Sequence, residues 1–237
     1  MGCVSWVRIH VFSVCFSATG SFAAAGVLGA IGAASLVRNE VPSMRMFAAV
    51  PLLFAAQQAA EGVVWLTIGE HPPDAVARLA VVVFLSFALV LWPLWLPVAL
   101  RAPEPNPRRR DVLTGLSWAG LATSTVSAVL LARGGATAHI AEHSLSYEFG
   151  SGALGGSLLP LAGYMVPTVV PFFVSTLSLA RVIGVVLFGA LLVTLIVKRL
   201  ALTSVWCFFA ALLSGLILAV VLRAGRHDEI VGGDELR

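Results

Sequence analysis

Long apolar segments separated by short polar ones dominate this chain. Seven windows carry few or no charged side chains, and each is close to the roughly 20 residues that a helix needs to cross a bilayer. We predict helices at residues 11–37, 46–69, 75–100, 111–132, 158–178, 180–198 and 201–222. The pattern therefore predicts an all-α membrane protein with seven transmembrane helices.

Composition agrees with this interpretation. Of the 237 residues, 59% are hydrophobic and 11% are charged, and the mean hydropathy is +0.95. Soluble domains carry about 25% charged residues, more than twice the fraction in this chain. We therefore expect the chain to lie in a lipid bilayer. The net charge of +3 comes from loop arginines and forms no basic stripe interleaved with aromatic residues. A nucleic-acid partner is therefore not expected.

The distribution of Lys and Arg predicts the orientation, because cytoplasmic loops are enriched in both. With the N-terminus outside and the C-terminus cytoplasmic, ten of these residues fall on the inner side and five on the outer side. We therefore expect a multi-pass protein of the cell inner (plasma) membrane. The ten inner residues are Arg38, Arg45, Arg101, Arg108, Arg109, Arg110, Arg181, Arg223, Arg226 and Arg237.

The second predicted helix carries polar residues at its centre, in the stretch PLLFAAQQAAEGVVWLTIG (51–69). Helical spacing places Gln57, Glu61 and Trp65 on one stripe, with Gln58 beside it. A carboxylate is costly in hydrocarbon, so Glu61 should face protein and is a candidate functional residue. Two structural interpretations compete with this one: a hydrogen bond from Glu61 to a neighbouring helix, and an interfacial anchor role for Trp65.

The outer segment 133–157 is the most informative loop. It contains His139, His143, Ser144 and Tyr147, and a helix here would place His139 and His143 on one face, as it would His143 and Tyr147. That spacing suits a metal ion, although it lacks the intervening Glu of a zinc protease motif. The alternative is a solvated amphipathic segment on the outer surface.

The predicted topology brings Cys15, Glu61, His143 and Cys207 to the outer half of the bundle. Two thiols, an imidazole and a carboxylate suit a transition metal such as zinc or copper. Glu61 and His143 are then the catalytic candidates. A disulfide between Cys15 and Cys207 and a pair of inert buried thiols remain open alternatives. The predicted ligand-binding residues around this group are Gln57, Gln58, Trp65, Ser144, Tyr147 and Trp206.

Prolines predict breaks in two helices. The third helix ends in WPLWLP, where Pro93 and Pro97 free backbone carbonyls that need other donors. We expect Trp92 and Trp95 to act as anchors near the inner interface. The fifth helix contains prolines that should kink or break it: Pro160, Pro167 and Pro171.

Several motifs together resemble an uncharacterised family of small bacterial integral membrane proteins, a domain of unknown function. They are CFSATGSF (15–22), QQ-x-x-EG-x-x-W (57–65), the stretch from His143 to Glu148, and TSVWCFFAALLS (203–214). Members of that family look as if they open with Met-Cys-Phe-Ser-Ala-Thr and close on a Ser-Val-Trp-Cys-Phe helix. The resemblance implies no activity.

The resemblance does imply a start at the position of Val14, so that residues 1–13 would come from an alternative start codon. We accordingly divide the chain into an N-terminal extension (1–14), a seven-helix transmembrane domain (15–222) and a disordered cytoplasmic tail (223–237).

Three functions are consistent with the sequence. The first is an outward-facing polar pocket that binds a metal or small molecule, in a membrane-embedded hydrolase or redox enzyme. The second is a proton-coupled small-molecule carrier that uses Glu61. The third is a non-catalytic structural or assembly subunit with a disulfide between Cys15 and Cys207.

Overall fold

A computed structural model describes residues 17–68, 75–134, 136–141, 144–149, 158–196 and 212–225. Within these ranges the chain forms seven helices and one β-hairpin. The helices are α1 (Ala18–Val37), α2 (Pro42–Thr67), α3 (Ala75–Arg101), α4 (Pro107–Gly134), α5 (Leu158–Val174), α6 (Ala180–Ile196) and α7 (Leu212–Gly225), and the hairpin strands are β1 (Ala136–Ala141) and β2 (Ser144–Phe149).

The prediction of a helical fold with several apolar helices of membrane-spanning length is confirmed. Four helices are long and apolar enough to cross a membrane, namely α1 to α4, and three shorter apolar helices follow them. The fourth helix begins earlier than predicted because Asn106 caps it, its side-chain oxygen accepting from the amide of Arg109 at 3.2 Å. Helix α7 continues to Gly225, so the start of the predicted tail is helical. The predicted helical residues 11–16 and 201–211 lie outside the described residues.

The expectation of a helical face shared by His139 and His143 is wrong, because this segment is an antiparallel hairpin. His139 lies in β1 opposite Ser146, and His143 falls outside the described residues. The segment ATAHIA…SLSYEF alternates small or apolar residues with polar ones, which is a strand period and not a helical one. Ala136, Ala138, Leu145 and Tyr147 accordingly share a face that packs in one apolar cluster with the ends of α2, α3 and α4.

Helices α1 and α2 form a close antiparallel pair. A Cβ atom at Gly32 would lie 2.7 Å from the backbone nitrogen of Leu52, and one at Gly62 would lie 2.8 Å from the ring of Phe22. The absence of side chains at these two glycines therefore lets the backbones approach, as is common between helices in lipid.

A wide π-helical turn at Ser86–Leu91 interrupts α3, between α-helical segments Ala75–Leu85 and Trp92–Arg101. Pro93 follows this turn and supplies no amide hydrogen, so a carbonyl in the turn loses its helical donor. Neighbouring helices supply donors instead. The hydroxyl of Tyr164 in α5 donates to the carbonyl of Ala88 at 2.7 Å, and that of Ser124 in α4 donates to Val90 at 2.6 Å.

The same principle governs the contact between α3 and α4. Pro97 cannot donate to the carbonyl of Pro93, four residues earlier in the helix. Gly120 of α4 lies directly against that carbonyl, and a Cβ atom at this position would overlap the oxygen. The backbone of α4 thus covers the polar atom that the proline leaves exposed.

Helix α5 contains two internal prolines, Pro167 and Pro171. Pro167 removes the donor for the carbonyl of Gly163, and the hydroxyl of Thr123 in α4 donates to it at 2.8 Å. Beyond the prolines, Gly184 of α6 packs against Phe172 and Phe173. The part of α5 before Pro167 is therefore bonded to α3 and α4, and its last turn packs on α6.

One end of the bundle, which we call the arginine-rich end, gathers the ends of α1, α3 and α7 and the starts of α2, α4 and α6. Glu40, just after α1, lies against Gly225 at the end of α7. The larger apolar cluster extends towards this end. Its members with less than 2% relative exposure include Phe47, Leu100, Leu113 and Ile183. Its arginines are Arg38, Arg45, Arg101, Arg108, Arg109, Arg110, Arg181 and Arg223.

The Gly120 contact predicts a strong and local packing effect. Gly120→Val should lower the free energy of unfolding by about 2–3 kcal/mol, because the new side chain meets backbone that cannot rotate away. Gly115→Ala is the matched control, since nothing lies within 4 Å of a Cβ there on the same helix. Unfolding by SDS in mixed micelles measures both, and equal midpoints for the two variants would contradict the contact.

The π-helical turn predicts a smaller effect. Tyr164→Phe leaves the carbonyl of Ala88 without its donor and should cost about 1 kcal/mol, a magnitude typical of interhelical hydrogen bonds in membranes. Thr125→Val serves as the control, because that exposed hydroxyl donates to Leu121 of its own helix at 2.8 Å. Thermal unfolding in detergent measures the difference, and a stability loss in the control alone would refute the assignment.

Candidate functional site

The polar stripe of α2 lies inside the bundle. Glu61 has 0% relative exposure and Gln58 has 4%, so both side chains are enclosed by protein. Gln57 is half-buried, and its Oε1 accepts a hydrogen bond of 2.8 Å from the indole nitrogen of Trp92 in α3. The stripe therefore splits into Gln57, which bonds to α3, and the fully enclosed pair Gln58 and Glu61.

Trp92 is buried inside the bundle, in contrast to the predicted anchor role, whereas the half-buried Trp95 leaves that prediction open. Trp92 is only 4% exposed, and its ring centroid lies 4.3 Å from that of Phe54. The indole nitrogen of Trp95 donates to the carbonyl of Met46 at 3.0 Å. Both indoles bond to α2, because Pro93 and the π-helical turn rotate this part of α3 towards the bundle interior.

The start of α1 forms one wall beside Glu61. The ring of Phe22 packs over Gly62, the residue after the buried acid. The preceding residue of α1, Ser21, is completely buried, and its hydroxyl has no hydrogen-bond partner within the described residues. Ser17, at the start of this helix, caps it by accepting from the amide of Gly20 at 3.1 Å. Ser21 is not among the site residues that the sequence analysis selected.

The hairpin covers the other side of this region. Tyr147 stacks on Phe84 of α3 with ring centroids 4.7 Å apart, and it belongs to the same apolar cluster as Trp65 of α2. The indole nitrogen of Trp65 is buried and has no acceptor within the part of the chain described. Two predicted ligand-binding residues, Trp65 and Tyr147, thus lie in one cluster at the end of the bundle opposite the arginines.

Four of the predicted site residues lie outside the described residues: Cys15, His143, Trp206 and Cys207. Ser144 is described through its strand, which it begins opposite Ala141. Within the described ranges, no three His, Cys, Asp or Glu side chains are grouped to hold a metal ion. The predicted metal set of Cys15, Glu61, His143 and Cys207 therefore stays a prediction, with Glu61 as its described member.

A second buried carboxylate escaped the sequence analysis. Glu104, in the connector between α3 and α4, has 0% relative exposure, and its oxygens accept hydrogen bonds from Thr176 and from the amide of Asn106. Its surroundings in sequence, a run of prolines and arginines, indicated only a charged linker. The signal available was an acid in a segment with four arginines, 101–111, and it did not distinguish a buried acid from an exposed one.

Comparison with known proteins gives one family and no characterised relative. Residues 14–230 match the model of a family described as a family of unknown function (DUF6629). Neither the curated proteins nor the solved structures provide a match. Because the family model covers most of the chain, this protein belongs to that family of unknown function.

Proposed function

We propose that this chain is a seven-span protein of the bacterial inner membrane, with its N-terminus outside, and that it binds a metal ion or small molecule in an outward-facing pocket around Glu61. The orientation rests on the arginines. Eight lie at the arginine-rich end of the described residues, whereas only Arg78 and Arg133 lie towards the other end. An excess of positive charge is typical of the cytoplasmic side.

The burial of Glu61 is the main observation that supports the proposed pocket. A carboxylate in the middle of a transmembrane helix costs several kcal/mol of free energy. Its presence there therefore favours a role in binding or proton transfer. Backbone amides of α2 are used by the helix itself, so groups that bind Glu61 come from side chains, from neighbouring elements or from a ligand. Gln58, one turn away and only 4% exposed, is the nearest polar candidate on the same helix.

The positions of α1, the hairpin and α7 support one site that Glu61 shares with Cys15, His143 and Cys207. Helix α1 begins beside Gly62, and Cys15 precedes that start by three residues. The two hairpin strands pack near Trp65, and His143 directly precedes the second of them in the sequence. Helix α7 ends at the arginine-rich end, so Leu212, where its described part begins, lies towards the site, and Cys207 precedes Leu212.

In this pocket Glu61 acts as a metal ligand or as the general base towards a bound water or substrate. Cys15, His143 and Cys207 supply the softer ligands that zinc and copper prefer. Gln57, Trp65, Ser144, Tyr147 and Trp206 form the surrounding wall. The chemistry suits a lipid or redox substrate that enters from the outer leaflet.

Metal content tests this proposal. The wild-type protein, purified in mild detergent and gel-filtered, should retain zinc or copper, and Glu61→Gln should bind it at least about tenfold more weakly. Glu40→Gln is the matched control, because Glu40 is exposed at the arginine-rich end. Elemental analysis and metal titration measure all three proteins.

A different result favours the structural function. If peptide mapping without reductant recovers Cys15 joined to Cys207, and no protein carries metal, the cysteines tie the first helix to the last and the metal site is refuted. In that case Glu61→Gln should change only thermal stability.

A carrier is the second candidate, and irregularities in α3 and α5 favour it. A π-helical turn interrupts α3, and the neighbouring α5, which is bonded to it through Tyr164 and Ala88, contains two internal prolines. Such discontinuities permit one part of a bundle to move against another. Glu61 would then exchange a proton for the transported species.

Vesicle uptake distinguishes the carrier from a static site. Zinc entry into vesicles that contain a zinc-sensitive dye should increase when a proton gradient is imposed, and Glu61→Gln should abolish the increase while Glu40→Gln retains it. Zinc binding to Glu61 without gradient-driven entry would support the pocket and reject the carrier.

A further inference from the structure

The connector between α3 and α4 is bonded to the connector between α5 and α6 through Glu104. One carboxylate oxygen accepts from the amide nitrogen of Thr176 at 2.8 Å, and both accept from the Thr176 hydroxyl at 3.1 Å. The other oxygen also accepts from the amide of Asn106 at 3.2 Å, at the start of α4. A carboxylate at this position is favoured by the positive end of the α4 dipole.

Two arginines complete the connection by binding backbone carbonyls. Arg109 donates through Nη1 to the carbonyl of Val174, the last residue of α5, at 2.9 Å. Arg110 donates through Nε and Nη2 to the carbonyl of Glu104 itself, at 3.1 and 2.8 Å. The first bond holds α5, and the second fixes the connector that presents the carboxylate.

These bonds hold the part of α5 that lies beyond its prolines. The part of the helix before Pro167 is attached separately, through Gly163 to Thr123 and through Tyr164 to Ala88. Pro167 and Pro171 lie between the two sets of attachments, where each removes a helical hydrogen bond. Hydrogen bonds to neighbouring elements therefore hold α5 on both sides of its prolines, and the segment between them has lost two helical hydrogen bonds.

The turn that follows contains a residue in a left-handed conformation. Leu179 has φ of 63°, which is costly for a residue other than glycine. It lies in the short turn between α5 and α6, three residues after Thr176, and its side chain packs against the larger apolar cluster. The bonds to Thr176 therefore act together with this packing to hold a strained turn.

We propose that Glu104 and Arg109 form a latch that closes the arginine-rich end of the bundle, and that Pro167 and Pro171 are the hinge about which the last turn of α5 and the start of α6 swing when the latch opens. Gly184 packs on Phe172 and Phe173, so α6 moves with that turn. The latch needs no ligand at Glu61 and is therefore independent of the proposed function.

Hydrogen–deuterium exchange of the full chain in detergent micelles tests the latch. Glu104→Gln and Arg109→Gln should each accelerate amide exchange in residues 172–184 by about 10-fold to 100-fold, as expected for loss of hydrogen bonds to a charged group. Exchange in residues 162–166, before the hinge, should not change. Asp111→Asn and Arg108→Gln are the matched controls, because both residues are exposed beside the latch.

The hinge has its own test. Pro171→Ala restores a helical amide, so adding it to Glu104→Gln should slow exchange in residues 172–184 back towards the wild-type rate. If the two latch variants instead accelerate exchange equally in all helices, Glu104 and Arg109 serve global stability and the latch is refuted. Unchanged exchange in both variants refutes it as well, and failure of Glu104→Gln to fold leaves Arg109→Gln to decide between these outcomes.

Discussion

Backbone carbonyls that prolines deprive of their helical donors determine how α3, α4 and α5 pack. In hydrocarbon no water replaces the missing donor, and each unsatisfied group costs several kcal/mol. In the wide turn of α3, the hydroxyls of Ser124 and Tyr164 donate to backbone carbonyls. In α5, the hydroxyl of Thr123 donates to the carbonyl that lacks the Pro167 amide. Gly120 packs directly against the carbonyl of Pro93. Each of these contacts sets the rotation and depth of one helix against the next.

The two buried carboxylates illustrate how surroundings decide the role of the same chemical group. Glu104 lies in a connector, where free backbone amides of Asn106 and Thr176 meet its oxygens. Glu61 lies within a helix, where the amides of its own helix are already used, and it is completely enclosed by the bundle. The connector thus supplies amides of its own to a carboxylate, whereas a helix interior does not.

Much of the architecture could be read from the chain. Apolar windows predicted the helices, and Pro93 marked the helix that the π-helical turn at Ser86–Leu91 interrupts, whereas α5 continues as a helix through Pro167 and Pro171. The burial of Glu61 was also expected, since a charge in lipid is prohibitively costly. The hairpin was not expected, because its small and polar residues alternate weakly and two histidines at helical spacing suggested another period. Trp92 was assigned to the interface because tryptophan is enriched there, whereas its bond to Gln57 depends on the turn of α3.

By itself the sequence determined which segments form long apolar helices, which of these helices contain prolines and which segments carry the arginines, because these follow from residue type and spacing along one chain. Only the tertiary structure decided which donor satisfies each freed carbonyl, that Glu104 is buried against a connector 72 residues away, and that Tyr147 joins Trp65 in one cluster. Those pairings depend on the rotation of each helix about its axis. Packing against the neighbouring helices sets that rotation, and the local sequence alone does not.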